Sequence, residues 1–204
     1  MDTRAGPATP QCARLKISET ILKTGQLDVM KPWYRTVLGV DPFFEHDPPR
    51  DASVGNFGGQ TRASDLRMCF FRLSEAYPYT QVIGIFEESG VSGAASKTAP
   101  GLHHMQLMAE NLPDLIGQYQ ALRAMGMHPH RSANHGPMTS FYYRDPDGNN
   151  VELTAQNFAT FELMAEFMRS PEFKANPSGI ELDAEAFVAR FRSGVPVEEL
   201  VRIA

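Results

Sequence analysis

The sequence predicts an α+β fold: two βαβββ modules pairing into a cupped mixed sheet around a central cavity, with a C-terminal helical tail. Three observations lead there. The hydrophobic pattern runs from strand period to helix period and back, twice, in the same order. The halves can be laid over each other at a constant offset of 85 residues, with Glu19 on His104, Leu27 on Leu112 and Tyr34 on Tyr119. A stretch rich in Gly, Ser and Ala separates them and reads as a linker. The boundaries are then a tail at 1–13, a first module at 14–88, the linker at 89–99, a second module at 100–158 and a helical extension at 159–204.

Taken in order, Arg14 to Thr24 alternates and is β-branched, a strand. Leu27, Met30, Trp33, Tyr34, Val37 and Leu38 recur at helical spacing, and Gly39 is the stop. Pro32 is tolerable only near a helix start, which places that start close to Val29. Asp41 to Glu45 is a short strand, and residues 46–65 form a long loop of the kind that rims a pocket. LRMCFFRL and TQVIGIFEE are strands joined through Tyr77-Pro78-Tyr79. After the linker come the strand GLHHMQLM and a helix whose Leu112, Leu115, Ile116, Tyr119 and Leu122 make one face. A short strand follows, then SFYYRD and NVELTAQ joined by the turn Asp145-Pro146-Asp147-Gly148. Two such modules, each with a half-open sheet, bury their concave faces against one another. The tail reads as amphipathic helices, with Asp183 and Pro196 as starts, packed outside the sheets or against a second subunit.

Composition narrows the partners. A hydrophobic fraction of 42% and a charged fraction of 21% suit a soluble globular protein. A net charge of -5 without a basic cluster argues against nucleic acid. Cys12 and Cys69 have no metal or redox spacing and read as reduced thiols in a cytoplasmic protein. No apolar run has the length of a membrane span or a signal-peptide core. The expected partners are a small-molecule substrate and a second copy of the chain, with no nucleic acid and no membrane.

The chemistry concentrates at GLHHMQLM and NHGPMTSFYYRDPDGNNVEL. Strand side chains alternate, so only one of His103 and His104 shares a face with Gln106 and Met108. Glu152 on an apolar strand is costly to bury without a cation. An imidazole and this carboxylate together suit one divalent metal. Glu19, between Ile17 and Ile21 on its face, is open to three readings: ligand, free catalytic base or structural residue. Tyr142 and Tyr143 alternate, and the pattern alone does not choose the inward one. His135 precedes Gly136-Pro137 and either caps a loop or faces substrate. His46, His128 and His130 read as solvent residues, and Trp33 and Tyr34 as helix–sheet packing.

Those two segments resemble the vicinal oxygen chelate superfamily (glyoxalase, bleomycin resistance protein, extradiol dioxygenase), in particular its type I extradiol dioxygenase-like members. D-P-D-G-N-x-V-E-L after S-F-Y-Y carries the resemblance most specifically, and NPSGIELDAEAF in the tail is similar too. The resemblance implies a ring-cleaving dioxygenase acting with O2 on an aromatic or polyketide-like vicinal diol. It implies metal ligands at His104 and Glu152, an acid/base histidine at His135, and a substrate-bonding tyrosine at Tyr142. The expected cofactor is a divalent metal, Fe(II) first, with Mn(II) or Zn(II) as alternatives. The family's first ligand histidine falls on Glu19, a departure that makes the site harder and favours Mn(II), Zn(II) or Mg(II) more than two histidines do. Two other activities fit the resemblance: a metal-dependent isomerase, lyase or hydrolase that does not use O2, and a non-catalytic binder of a planar toxin.

Overall fold

The computed structural model describes residues 15–49, 56–57, 60–78, 80–92, 94, 98 and 100–203. The tail at 1–13, Cys12, Tyr79, and parts of the 46–65 loop and of the linker lie outside the described residues. The chain forms two compact units. Of the described residues, one unit comprises those up to Leu27 and those within Leu38–Ser89, and the other those within Asp28–Val37 and from Gly90 onward.

The first unit has strands β1 (Glu19–Thr24), β2 (Phe44–His46), β3 (Asn56–Phe57), β4 (Gln60–Thr61), β5 (Arg67–Arg72) and β6 (Val82–Glu87). Four make a mixed sheet in the order β1-β6-β5-β2, with β1 parallel to β6 and the rest antiparallel. β3 and β4 pair separately within the loop read from sequence as continuous. Leu22, Met68, Cys69, Phe71, Ile83 and Ile85 are buried. The first strand is shorter than its sequence pattern: residues 15–18 lie outside it, and Leu15 and Ile17 are exposed.

Helix α1 (Leu27–Leu38) begins two residues before the start expected near Val29 and carries Pro32 inside it. A cap from β6 explains the earlier start: Leu27 donates its N–H to Glu87 Oε1 at 2.9 Å. A partner 60 residues away is invisible to local pattern. Gly39, at φ +68°, ends the helix as expected.

The second unit contains the central residues of α1, then β7 (Met105–Met108), α2 (Leu112–Ala124), β8 (Arg131–Asn134), β9 (Met138–Arg144) and β10 (Asn150–Gln156). After these come α3 (Phe161–Arg169), α4 (Pro171–Ala175), β11 (Ile180–Glu181), α5 (Ala184–Arg192) and α6 (Val197–Leu200). Its sheet runs β11-β8-β9-β10-β7, with β7 parallel to β10. α2 is capped by Asn111, whose side chain accepts from the Asp114 N–H at 2.9 Å, and Pro113 occupies its first turn. The five apolar residues expected on its inner face are all buried. The last turn opens as its sequence demands: Asp145 accepts from the Asn149 backbone and side chain, both at 2.8 Å, and Gly148 adopts φ +81°.

In both units the first strand lies parallel beside the last strand of its repeat, β1 on β6 and β7 on β10. Leu27 and Leu112, 85 residues apart, each open a helix. The fold is therefore α+β with two mixed sheets, as the repeat predicts. The tail departs from its reading as helices alone, because β11 adds a fifth strand to the second sheet.

Candidate active site on the second sheet

Residues directly opposite across strands share a face. One such row crosses four strands: Arg131 on β8 faces Tyr142 on β9, which faces Glu152 on β10, which faces Gln106 on β7. The other face presents Phe141, Tyr143, Val151 and Leu153, all buried, and α2 packs there on β10. Sheet register thus settles what alternation left open. Tyr142 stands with Glu152, and Tyr143 packs in the core.

Glu152 is only 2% exposed. A carboxylate so deeply buried needs partners. Tyr142 donates its hydroxyl to Glu152 Oε1 at 2.9 Å, and His104 Nε2 lies 3.2 Å from Oε2. Burial, reinforced by the hydrogen bond and charge of Glu152, pushes the Tyr142 phenol up to about 12, against the opposing pull of Arg131. At neutral pH Tyr142 therefore carries its proton.

His135 closes the chain from the β8–β9 turn. Its Nε2 is 2.8 Å from the Tyr142 hydroxyl, and its Nδ1 is 2.8 Å from the Ser178 carbonyl. A carbonyl only accepts, so Nδ1 bears a proton and Nε2 is the variable position. Tyr142 has one proton and two neighbours able to accept it. A second proton in the chain, on His135 Nε2 or on Glu152, completes both bonds, so His104–Glu152–Tyr142–His135 is a short path for a proton. Arg131 lies over the Tyr142 ring, 4.9 Å from its centroid, and both its Nε (2.9 Å) and Nη2 (2.6 Å) donate to Glu181 Oε1.

The turn bearing His135 is fixed from beneath. Asn134, fully buried, accepts from the Gly136 N–H at 2.8 Å and from Asn157 Nδ2 at 3.0 Å, and donates to the Val201 carbonyl at 2.7 Å. Gly136 takes φ +89°, and a Cβ there would come within 2.5 Å of Phe167.

Four of the five expected site residues, His104, His135, Tyr142 and Glu152, meet on this face. Glu19 belongs to the first unit, where it opens β1 exposed, on the face that carries Ile21. In that unit Gly84 faces Ile21 as Glu152 faces Gln106, so the first sheet has no carboxylate at the matching position. Among the described residues no three His, Cys, Asp or Glu side chains form a ready metal cluster. His103 does not turn away from His104 as alternation requires: their Nδ1 atoms are 2.7 Å apart. The strand begins only at Met105, so neither histidine is bound by strand alternation.

Two other expectations are corrected in detail. Tyr34 is more than packing, since it donates to the buried Asp145 at 2.9 Å. His46 lies on a strand, half-buried, and bonds the Ser64 carbonyl at 2.8 Å. His130 is exposed in a bend as expected, its ring centroid 6.4 Å from that of Tyr142. A cleft of about 710 Å³ elsewhere in the second unit is lined by Phe158, Leu163, Phe167, Val201 and Ile203 among others, and none of the four site residues lines it. Sequence reading missed Arg131, Ser178, Gly179 and Glu181. The N-P-S-G turn was the one available signal, and pattern alone does not say what such a turn docks against.

A family model described as the Glyoxalase/Bleomycin resistance protein/Dioxygenase superfamily matches residues 16–153. The chain belongs to this superfamily. Among curated relatives it is 29% identical over 187 residues to biphenyl-2,3-diol 1,2-dioxygenase 2 of Rhodococcus globerulus, covering 91% of this chain and 86% of the relative. It is 31% identical over 185 residues to biphenyl-2,3-diol 1,2-dioxygenase 3 of the same organism, with the same coverage. These matches bear out the resemblance read from the two segments. Among solved structures, a glyoxylase/bleomycin resistance protein/dioxygenase domain from Frankia sp. EAN1pec superposes with a TM-score of 0.55 at 19% identity, covering 71% of this chain and 99% of that one. A fosfomycin resistance protein from Listeria monocytogenes, complexed with Mn(II), gives 0.51 at 14% identity, covering 75% and 99%. Both share the fold. No helix of the described residues is long and apolar enough to cross a membrane.

Proposed function

We propose that this superfamily member is a metal-dependent dioxygenase of the extradiol kind. It inserts both atoms of O2 into the ring of an aromatic or polyketide-like vicinal diol, breaking the ring carbon–carbon bond beside the diol. The observation that carries the reading is the unbroken run of contacts from His104 through Glu152 and Tyr142 to His135. The similarity to two diol dioxygenases supports it.

The donor chemistry fits a divalent ion. A buried carboxylate oxygen and an imidazole nitrogen stand 3.2 Å apart, a spacing that calls for a proton or a cation between them. His104 and Glu152 are the ligands in this reading, with Fe(II) the metal. Bound there, the ion supplies Lewis acidity and, as iron, the electrons that O2 chemistry requires.

The protein's own groups handle protons. His135, its Nδ1 tied to Ser178, presents Nε2 as the base for a diol proton, with Tyr142 as the relay. The protonated Tyr142 hydroxyl donates to the substrate oxygen. Arg131 over the Tyr142 ring keeps that ring in place. The chain works in the cytoplasm as a homodimer in this reading. Anaerobic reconstitution with Fe(II), followed by oxygen uptake with a catechol panel, tests the proposal. Uptake with at least one diol, lost in His135→Gln, is expected, and no uptake with any diol removes it. Glu19 in place of the expected histidine favours one alternative, an isomerase or lyase that turns over under nitrogen with Mn(II) or Zn(II).

A further inference from the structure

We infer that the C-terminal strand β11 and the turn before it are part of the catalytic apparatus, with Gly179 and Glu181 as positioning residues for His135 and Tyr142. The inference rests on the dioxygenase reading of those two residues and adds to it a segment outside the repeated modules.

Three contacts carry it. The first is the Ser178 carbonyl, 2.8 Å from His135 Nδ1, which selects the ring's tautomer and orientation. The second is the seating of the turn. Gly179 has φ +73°, and a Cβ built on it would lie 2.0 Å from the Asn134 carbonyl oxygen and 2.5 Å from the His135 Cα. No side chain fits while the strand stays docked, and the obstacle is backbone, which cannot swing aside. The third is Glu181, which faces Ala133 across the β11–β8 ladder and takes both Arg131 donors. Arg131 in turn covers the Tyr142 ring.

The turn is held independently of the site. Asn176 donates its side-chain N–H to the Gly179 carbonyl at 2.8 Å, and the Gly179 N–H donates to the Asn176 carbonyl at 3.2 Å. The Leu182 N–H continues the ladder to the Ser132 carbonyl at 2.9 Å. One short strand therefore fixes a proton-carrying imidazole on one side and the cation over its phenol partner on the other.

The test uses full-length protein with Gly179→Ala and, separately, Glu181→Gln. Proton–nitrogen correlation spectra of histidine-labelled chain, with and without Zn(II), read the His135 tautomer, assigned by its loss in His135→Gln. Oxygen uptake by the Fe(II)-reconstituted protein reads kcat and KM. In wild type the Nδ1–H tautomer is expected alone. In Gly179→Ala it gives way to a mixture, and kcat falls roughly 100-fold while KM moves much less, as displacement of a catalytic group by about 1 Å predicts. An unchanged tautomer, or a changed tautomer with wild-type kcat, overturns the inference. Should Gly179→Ala fail to fold, Glu181→Gln decides: a lower kcat at unchanged KM supports the inference, and wild-type kcat overturns it. Should wild type consume no oxygen with any diol, the dioxygenase reading fails by itself. The tautomer measurement then decides the positioning claim alone.

Discussion

Replacing Tyr142 with phenylalanine removes one hydroxyl and nothing else, and the structure fixes what that costs. The hydroxyl lies 2.9 Å from Glu152 Oε1 and 2.8 Å from His135 Nε2. Glu152 is 2% exposed, so water does not replace the lost donor, and among the described residues the carboxylate keeps only His104. A hydrogen bond to a charged, buried group contributes ~1.5–3 kcal/mol. The metal-free Tyr142→Phe protein should thus lose about 2 kcal/mol, or roughly 4–8 °C in Tm for a chain of this size. With Mn(II) saturating, the cation becomes a second partner for the carboxylate, and the loss should shrink to about half. Trp33 is the single tryptophan, lies in the second unit and stacks edge-on against Tyr34 at 4.9 Å. Its fluorescence in urea therefore reports the unfolding of α1, the helix whose Tyr34 bonds Asp145. Equal losses with and without Mn(II) would refute the claim that Glu152 is a metal ligand, and no loss at all would refute the claim that its buried charge depends on Tyr142.

Further outcomes follow from the same geometry. His104→Ala and Glu152→Gln should each weaken Mn(II) binding, read by calorimetry, by more than the roughly 10–100-fold that loss of an outer partner costs. Unchanged affinity sets the ligand assignment aside. Tyr34→Phe should destabilise the second unit by about 1–2 kcal/mol at neutral pH by taking a donor from the buried Asp145. Burial raises the Asp145 carboxyl above its ordinary range, partly offset by its bonds from Asn149 and Tyr34. A raised acid stabilises the fold below its unfolded pKa, and that contribution is lost as pH rises through the folded value. Urea midpoints of wild type should therefore fall from acid toward neutral pH through this group, a slope absent in Asp145→Asn. The Tyr142 phenol, raised from 10.0 to about 12, contributes stability that is present below pH 10 and lost as pH rises through about 12. Ultraviolet titration should find one fewer late-ionising phenol in Tyr142→Phe.

The amino-acid sequence alone determined the repeat, because hydrophobic period and turn chemistry are local. The helix face of Leu112, Leu115, Ile116, Tyr119 and Leu122 and the Asp145–Gly148 turn need nothing distant to be read. It also marked His104, His135, Tyr142 and Glu152, since a resemblance in motif carries residue positions with it. Tertiary structure decided what depends on register and on partners far apart in the chain. The pairing of Arg131, Tyr142, Glu152 and Gln106 in one row chose Tyr142 over Tyr143, a choice alternation could not make because shifting a strand by one residue exchanges its faces. A carboxylate on β6 moved the start of α1, and a two-residue strand in the tail placed Ser178 against His135. Both are close approaches across 60 and 43 residues of chain, and no local pattern encodes which distant backbone will supply a hydrogen-bond partner.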